Sequence, residues 1–191
     1  MKARASAGDH SNGLFVWLLR HAKAAPDAPV GGSDHDRPLA PRGRRDAAAL
    51  GLRLRSGDLG FGAGATPDLV LASTAARTSA TAQAVASALG LPVERRQRLY
   101  YGSPTDMLDE LRALDPALED GRHAVMVVGH NPATHALALE LLAEDDEAGR
   151  AALDAFPTCA VALLHAGVAR WRDLAYGTAT LVGFSRPPYD R

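Results

Sequence analysis

Arg20-His21, Arg77 and His130-Asn131 are the residues whose types could together act on a phosphoryl group. A guanidinium presents a planar fork of donors that matches phosphate oxygens, and a neutral imidazole can attack phosphorus or relay a proton. Each lies at the same kind of place in the chain. Arg20-His21 follows the apolar run Leu14-Phe15-Val16-Trp17-Leu18-Leu19, Arg77 opens the helix after Asp68-Leu69-Val70-Leu71-Ala72, and His130 follows Ala124-Val125-Met126-Val127-Val128-Gly129. Runs of this length read as buried strands, and open α/β sheets bind ligands at the carboxyl ends of their strands. Helix amino termini near Thr74 and Asn131-Pro132 add N–H donors and positive dipole ends on that edge. Taken singly, either histidine reads as a satisfied polar group and Arg77 as a surface arginine. Taken together they read as a phosphate pocket.

The elements that must position them alternate strand and helix. After the first strand, a loop over 22–40 leads to Pro41, which opens a helix running to Leu54, with proline in the first turn where its missing N–H costs little. A glycine-rich connector over 57–65 precedes the second strand, and Ser73-Thr74 can cap the alanine-rich helix that Gly90 and Pro92 stop at Leu89. A short polar strand over 92–98 follows. Ser103-Pro104-Thr105-Asp106 has the form of a capping box, starting a helix through Met107, Leu108, Leu111 and Leu114. The fourth strand is followed by a helix to Leu142, and 144–147 form an acidic surface stretch. Segments 158–164 and 169–174 read as paired strands joined near Gly167, with a terminal piece over 179–184. The pattern predicts a three-layer α/β/α sandwich on a mostly parallel central sheet. One domain over 14–185 is expected, between a tail at 1–13 and a C-terminal tail at 186–191.

Composition narrows the functions open to such a chain. A length of 191 residues suits one core, and a formal charge of −1 provides no global field for nucleic acid or an anionic membrane, so any anion recognition is local. Cys159 is the sole cysteine, which excludes an intramolecular disulfide and a cysteine-rich zinc cage and fits a reducing cytoplasm. No signal-type or membrane-spanning apolar segment is present. Cys159 has His165 rather than arginine six positions on, which removes a cysteine-phosphatase reading, and neither Gly-x-Ser-x-Gly nor a Walker lysine motif occurs. Gly60-Phe61-Gly62-Ala63-Gly64 precedes a strand instead of following one, which argues against a dinucleotide turn. Asp34-His35-Asp36 follows Gly31-Gly32-Ser33 rather than a strand, so no metal site and no cofactor are expected.

Three motifs carry a resemblance. Leu19-Arg20-His21-Ala22-Lys23-Ala24 resembles the signature of the histidine phosphatase superfamily, also called phosphoglycerate-mutase-like, in which Gly usually follows Arg-His. Ser73-Thr74-Ala75-Ala76-Arg77-Thr78 resembles its second-arginine motif and Val128-Gly129-His130-Asn131-Pro132 its second-histidine motif. Asp34-His35-Asp36-Arg37-Pro38-Leu39 further resembles the small SixA-type phosphohistidine phosphatases, which lack the large inserted subdomain. The resemblance implies that His21 is a nucleophile forming a transient phosphohistidine, that Arg20, Arg77 and His130, with Asn131, bind the phosphoryl oxygens, and that no metal takes part. It leaves the general acid unassigned, with Asp34, Asp36 and Asp106 as the nearest candidates. An imidazole leaving group, with a pKa of about 6.5 when unperturbed, departs more readily than an alkoxide, so a weak acid suits phosphohistidine in a protein. The alternatives are a phosphatase of small phosphate esters and a non-catalytic phosphate-binding module; mutase activity would need a placed acid and a site retaining a bisphosphate. The partner is a phosphorylated protein or small phosphate compound.

Overall fold

Six apolar side chains in succession leave no face of the first strand for water, and β1 (Leu14–Arg20) accordingly lies inside a six-stranded sheet. The computed structural model describes residues 13–61, 66–114 and 123–189. The expected N-terminal tail therefore lies outside the described residues except for Gly13, as do residues 62–65 of the connector. With β2 (Leu69–Ser73), β3 (Val93–Arg96), β4 (Ala124–Gly129), β5 (Val161–Ala166) and β6 (Ala179–Ser185), the sheet order is β3-β2-β4-β1-β5-β6. The β3-β2-β4-β1 half is parallel, while β5 runs antiparallel to both β1 and β6.

Alternation along β1 divides the core between the two faces. Leu14, Val16 and Leu18 join Met107, Leu108 and Leu111 of α3 (Pro104–Arg112) and Leu137 and Leu141 of α4 (Ala133–Leu141). Phe15, Trp17 and Leu19 join Ala47 and Leu50 of α1 (Pro41–Ser56) and Ala82, Val85 and Ala86 of α2 (Ala76–Leu89). A short α5 (Glu147–Ala152) completes the helices among the described residues. The architecture is the expected three-layer sandwich, with no large inserted subdomain among those residues.

The structure departs from the expected elements in two places. Segment 169–174 is not a strand; Trp171–Asp173 form one 3-10 turn, and β5 pairs instead with β6. The alternation Arg-Trp-Arg-Asp-Leu imitates a strand, but a 3-10 turn repeats every three residues, which brings Trp171 and Leu174 to the same side, and both are buried. Ser73 and Thr74 do not cap α2. Its N-cap is Ala75, which has no side-chain cap, whereas Ser103 does cap α3, accepting from the Asp106 amide at 3.2 Å while Asp106 Oδ2 accepts from the Ser103 amide at 2.8 Å. Within the expected C-terminal tail, the Tyr189 ring is buried and its hydroxyl donates to the Cys159 carbonyl at 2.6 Å.

The loop after β1 sits on the first turn of α1. Gly43 is buried there, and a Cβ at this position would collide with the Lys23 backbone. The Lys23 carbonyl also accepts from the Ala40 amide at 2.8 Å, so the contact has little room to open. Gly43→Ala is expected to lower the unfolding free energy by about 1–3 kcal/mol, read by urea denaturation. A variant as stable as the parent would contradict this packing.

Candidate active site

Ladder hydrogen bonds carry Arg20 and His21 to the sheet edge. Arg20 pairs with Gly129 of β4, and the His21 amide donates to the Gly129 carbonyl at 3.0 Å, so the exits of β1 and β4 lie side by side. Buried Thr81 of α2 links the third exit to the first: its hydroxyl accepts from the Ala22 amide at 3.0 Å and donates to the Arg77 carbonyl at 2.7 Å. Arg20, His21, Arg77, His130 and Asn131 all line one cavity of about 380 Å³, which also takes in Lys23, Arg37, Tyr100, Tyr101 and Thr158. The convergence expected from the strand exits is therefore present. The imidazoles of His21 and His130 lie 5.2 Å apart, centroid to centroid.

Each side chain is held from behind. Arg20 Nη1 donates to the Phe156 carbonyl at 2.8 Å, and Asn131 Nδ2 donates to the same carbonyl at 3.0 Å. Arg20 Nε is buried and has no hydrogen-bond partner among the described residues. Arg77 is 8% exposed; its Nη1 donates to the Asp34 carbonyl at 2.6 Å and its Nη2 to Asp34 Oδ2 at 2.9 Å. His130 Nε2 lies 2.9 Å from the Ser73 hydroxyl. The helix amino termini lie where expected, with N-caps at Ala75 for α2 and Pro132 for α4.

His21 Nδ1 lies 2.8 Å from the Ala22 carbonyl, which can only accept, so Nδ1 carries the proton and Nε2 is left with its lone pair. Burial pushes the His21 pKa down to about 4, helped by the Arg77 and Arg20 cations and opposed by the Ala22 hydrogen bond. Burial, with His21 and Arg77 nearby, lowers His130 to about 3. Both rings are neutral at pH 7. The cavity thus holds permanent cations beside an unprotonated imidazole nitrogen, which is the arrangement that in-line attack on phosphorus needs.

Among the described residues, no carboxylate lines the cavity. Asp34 accepts from Arg37 Nη1 at 2.9 Å through Oδ1, and through Oδ2 from both Arg77 Nη2 and the Tyr100 hydroxyl, the latter at 3.2 Å. The hydrogen bond from Arg37, with those from Arg77 and Tyr100, lowers its pKa to about 2. Asp36 is exposed and accepts from the Ser33 amide and hydroxyl, each at 2.9 Å, which lowers its pKa as well. Neither carboxyl lines the cavity, and Asp34 borders it through Arg37, Arg77 and Tyr100, which do. Asp106 is committed to Ser103 and Arg98.

Sequence reading missed Arg37, Tyr100, Tyr101 and Thr158, all of which line the cavity. Arg37 had a signal, a basic residue in the Asp34–Leu39 stretch. The tyrosines had none, because they arrive from the turn after β3. Behind the site, Cys159 has φ 62° and its amide is shared by the Arg20 and His21 carbonyls, both at 3.1 Å. Such a backbone persists only where its surroundings hold it, and Tyr189 supplies that hold through the Cys159 carbonyl. Among the described residues no group of three or more His, Cys, Asp or Glu is arranged to hold a metal.

Depressed imidazoles make folding depend on pH in a defined direction. Below the ordinary value of 6.5, the unfolded chain protonates His21 and His130 while the folded chain resists until about 4 and 3, so stability falls as the pH drops through that window. Urea titrations at pH 7 and 4.5 are expected to show a smaller loss of stability in the double variant His21→Asn, His130→Asn than in the parent. Equal losses would show that neither ring is depressed.

Comparison with known proteins agrees with this geometry. A family model described as "Histidine phosphatase superfamily (branch 1)" matches residues 16–101. An uncharacterized protein of Mycobacterium tuberculosis is 36% identical over 172 residues, covering 88% of this chain and 99% of its own. A SixA structure from Nakamurella multipartitia superposes with a TM-score of 0.76 at 32% identity, covering 93% of this chain and 98% of that one. The structure of "the protein histidine phosphatase SixA complexed with tungstate" gives 0.69 at 25% identity, covering 90% and 96%. The strand exits, the paired arginines and histidines and these similarities agree: the chain belongs to the histidine phosphatase superfamily, as a phosphatase of its small SixA-type branch.

Proposed function

We propose that the protein is a metal-independent phosphohydrolase that removes phosphate from phosphohistidine in a protein, with His21 as nucleophile. The observation that carries this reading is the bond between His21 Nδ1 and the Ala22 carbonyl, which leaves Nε2 unprotonated in a cavity lined by Arg20, Arg77 and His130. Nε2 attacks phosphorus in line and a P–N bond to His21 forms as the substrate's P–N bond breaks; the substrate ring reacts in the form already protonated on its other nitrogen, so the electron pair left on the departing nitrogen makes a neutral imidazole. Water then attacks the phosphohistidine, its oxygen joining phosphorus and its protons leaving with the released phosphate, while the electron pair of the P–N bond returns to Nε2. The equatorial oxygens rest on Arg20, Arg77 and His130, with Asn131 at the edge; the guanidiniums neutralise charge that a metal ion would otherwise meet. Tungstate is a tetrahedral oxyanion, and its complex with a SixA protein supports this use of the pocket.

The carboxylates near the cavity bear on the substrate. With Asp34 and Asp36 held ionised and no carboxylate lining the cavity among the described residues, an imidazole, which leaves as a neutral molecule, suits the site better than an alkoxide. The cavity opens at exposed Lys23 and Tyr101, which suits a phosphate carried on a protein surface. Cys159, buried and free, is compatible with a reducing cytoplasm, and among the described residues no helix is long and apolar enough to cross a membrane.

His21→Ala is expected to abolish hydrolysis of a phosphohistidine protein, a loss of at least 10³-fold by order of magnitude for a removed nucleophile, while inorganic phosphate still binds. EDTA is expected to change nothing. Activity retained by His21→Ala defeats the nucleophile assignment, loss with EDTA defeats the metal-free reading, and faster turnover of alkyl phosphates points to a small-ester phosphatase.

A further inference from the structure

Of the residues lining the cavity, only Lys23 and Tyr101 are exposed, and they mark its rim. Tyr101 leaves 86% of its surface open, yet its position is fixed. Its hydroxyl donates to the Tyr100 hydroxyl at 3.2 Å, and its ring lies against that of Tyr100 at 4.0 Å between centroids. Tyr100 is itself held by its hydrogen bond to Asp34 and by edge-on contact with His35, centroids 4.8 Å apart. The backbone is equally constrained. Tyr101 stands between the 3-10 turn Gln97–Leu99 and the Ser103 cap of α3, and at Gly102 a Cβ would meet the Arg98 carbonyl at 2.5 Å.

This placement bears on the leaving group. In-line attack by His21 puts the departing atom on the side of phosphorus away from the His21 ring, and a leaving group borne on another protein enters past the exposed rim residues. What the rim offers there is one cation and one aromatic face, with no carboxylate. Aromatic faces bind flat rings by offset or edge-on stacking, and they give little to a leaving group without a ring.

We propose that Tyr101 is a leaving-group platform whose open face stacks on the imidazole of a phosphohistidine and so selects ring-bearing P–N substrates over ringless ones. The inference rests on the phosphohydrolase reading above. Tyr101 touches the departing ring, takes no proton from it, and acts through ground-state binding as well as orientation.

The test compares the parent with Tyr101→Ala and Tyr101→Phe on two P–N substrates, a phosphohistidine peptide and phosphoramidate, which has no ring. The quantity read is the ratio of the two kcat/KM values. Tyr101→Ala is expected to lower that ratio roughly 3- to 10-fold, the size of one aromatic contact, mostly through KM for the peptide, and Tyr101→Phe to restore it to within about twofold, since the ring face survives. An unchanged ratio in Tyr101→Ala, including an equal loss on both substrates, overturns the platform alone. A parent protein that hydrolyses neither substrate overturns the phosphohydrolase reading and the platform with it.

Discussion

Arg20, Lys23, Arg37 and Arg77 line one small cavity beside two imidazoles, and keeping those cations together without protonating the rings is the constraint on which the rest of the site depends. Like charges at such range repel, more strongly as water is excluded. The fold answers by giving the guanidiniums acceptors that do not block the cavity. Asp34 serves Arg77 and Arg37 at once through its two oxygens, and its main-chain carbonyl takes a second bond from Arg77. The Phe156 carbonyl serves Arg20. The same burial and neighbouring cations hold His21 and His130 neutral, so the field that suits an anion also keeps His21 Nε2 free of a proton.

Much of this arrangement rests on short links between distant segments. Thr81 ties the peptide after His21 to the carbonyl of Arg77, and Cys159 receives the carbonyls of Arg20 and His21 while Tyr189 holds it from the other side. Gly43 permits α1 to rest on Lys23. Loop residues thus gain the rigidity of the sheet and helices around them, which preorganised electrostatics require.

The fold and the centre of the site were legible because they depend on local pattern. An unbroken apolar run announces a buried strand, and a basic or imidazole residue at its end lies at the sheet edge by topology alone, which located Arg20, His21, Arg77 and His130. The partners of those residues were not legible. Asp34 and Arg77 are 43 positions apart, Tyr100 and Asp34 are 66 apart, and no periodicity in either segment records the meeting. A carboxylate in a loop near His21 reads as a candidate acid from sequence, and the two arginines that donate to Asp34 leave no trace in that pattern. The misread strand at 169–174 has the same origin: a period of two was present in the letters, while burial of Trp171 and Leu174 follows a period of three.

The central claim is that a neutral His21 Nε2 takes the phosphoryl group. Its most direct test is rapid acid-free quenching during turnover of a phosphate-labelled histidine substrate, followed by peptide mapping of the protein. The account predicts label on His21, stable to alkali and lost in acid, appearing and decaying within the turnover time. Full turnover with no label on His21, or with label on another residue that keeps pace with the reaction, would contradict it.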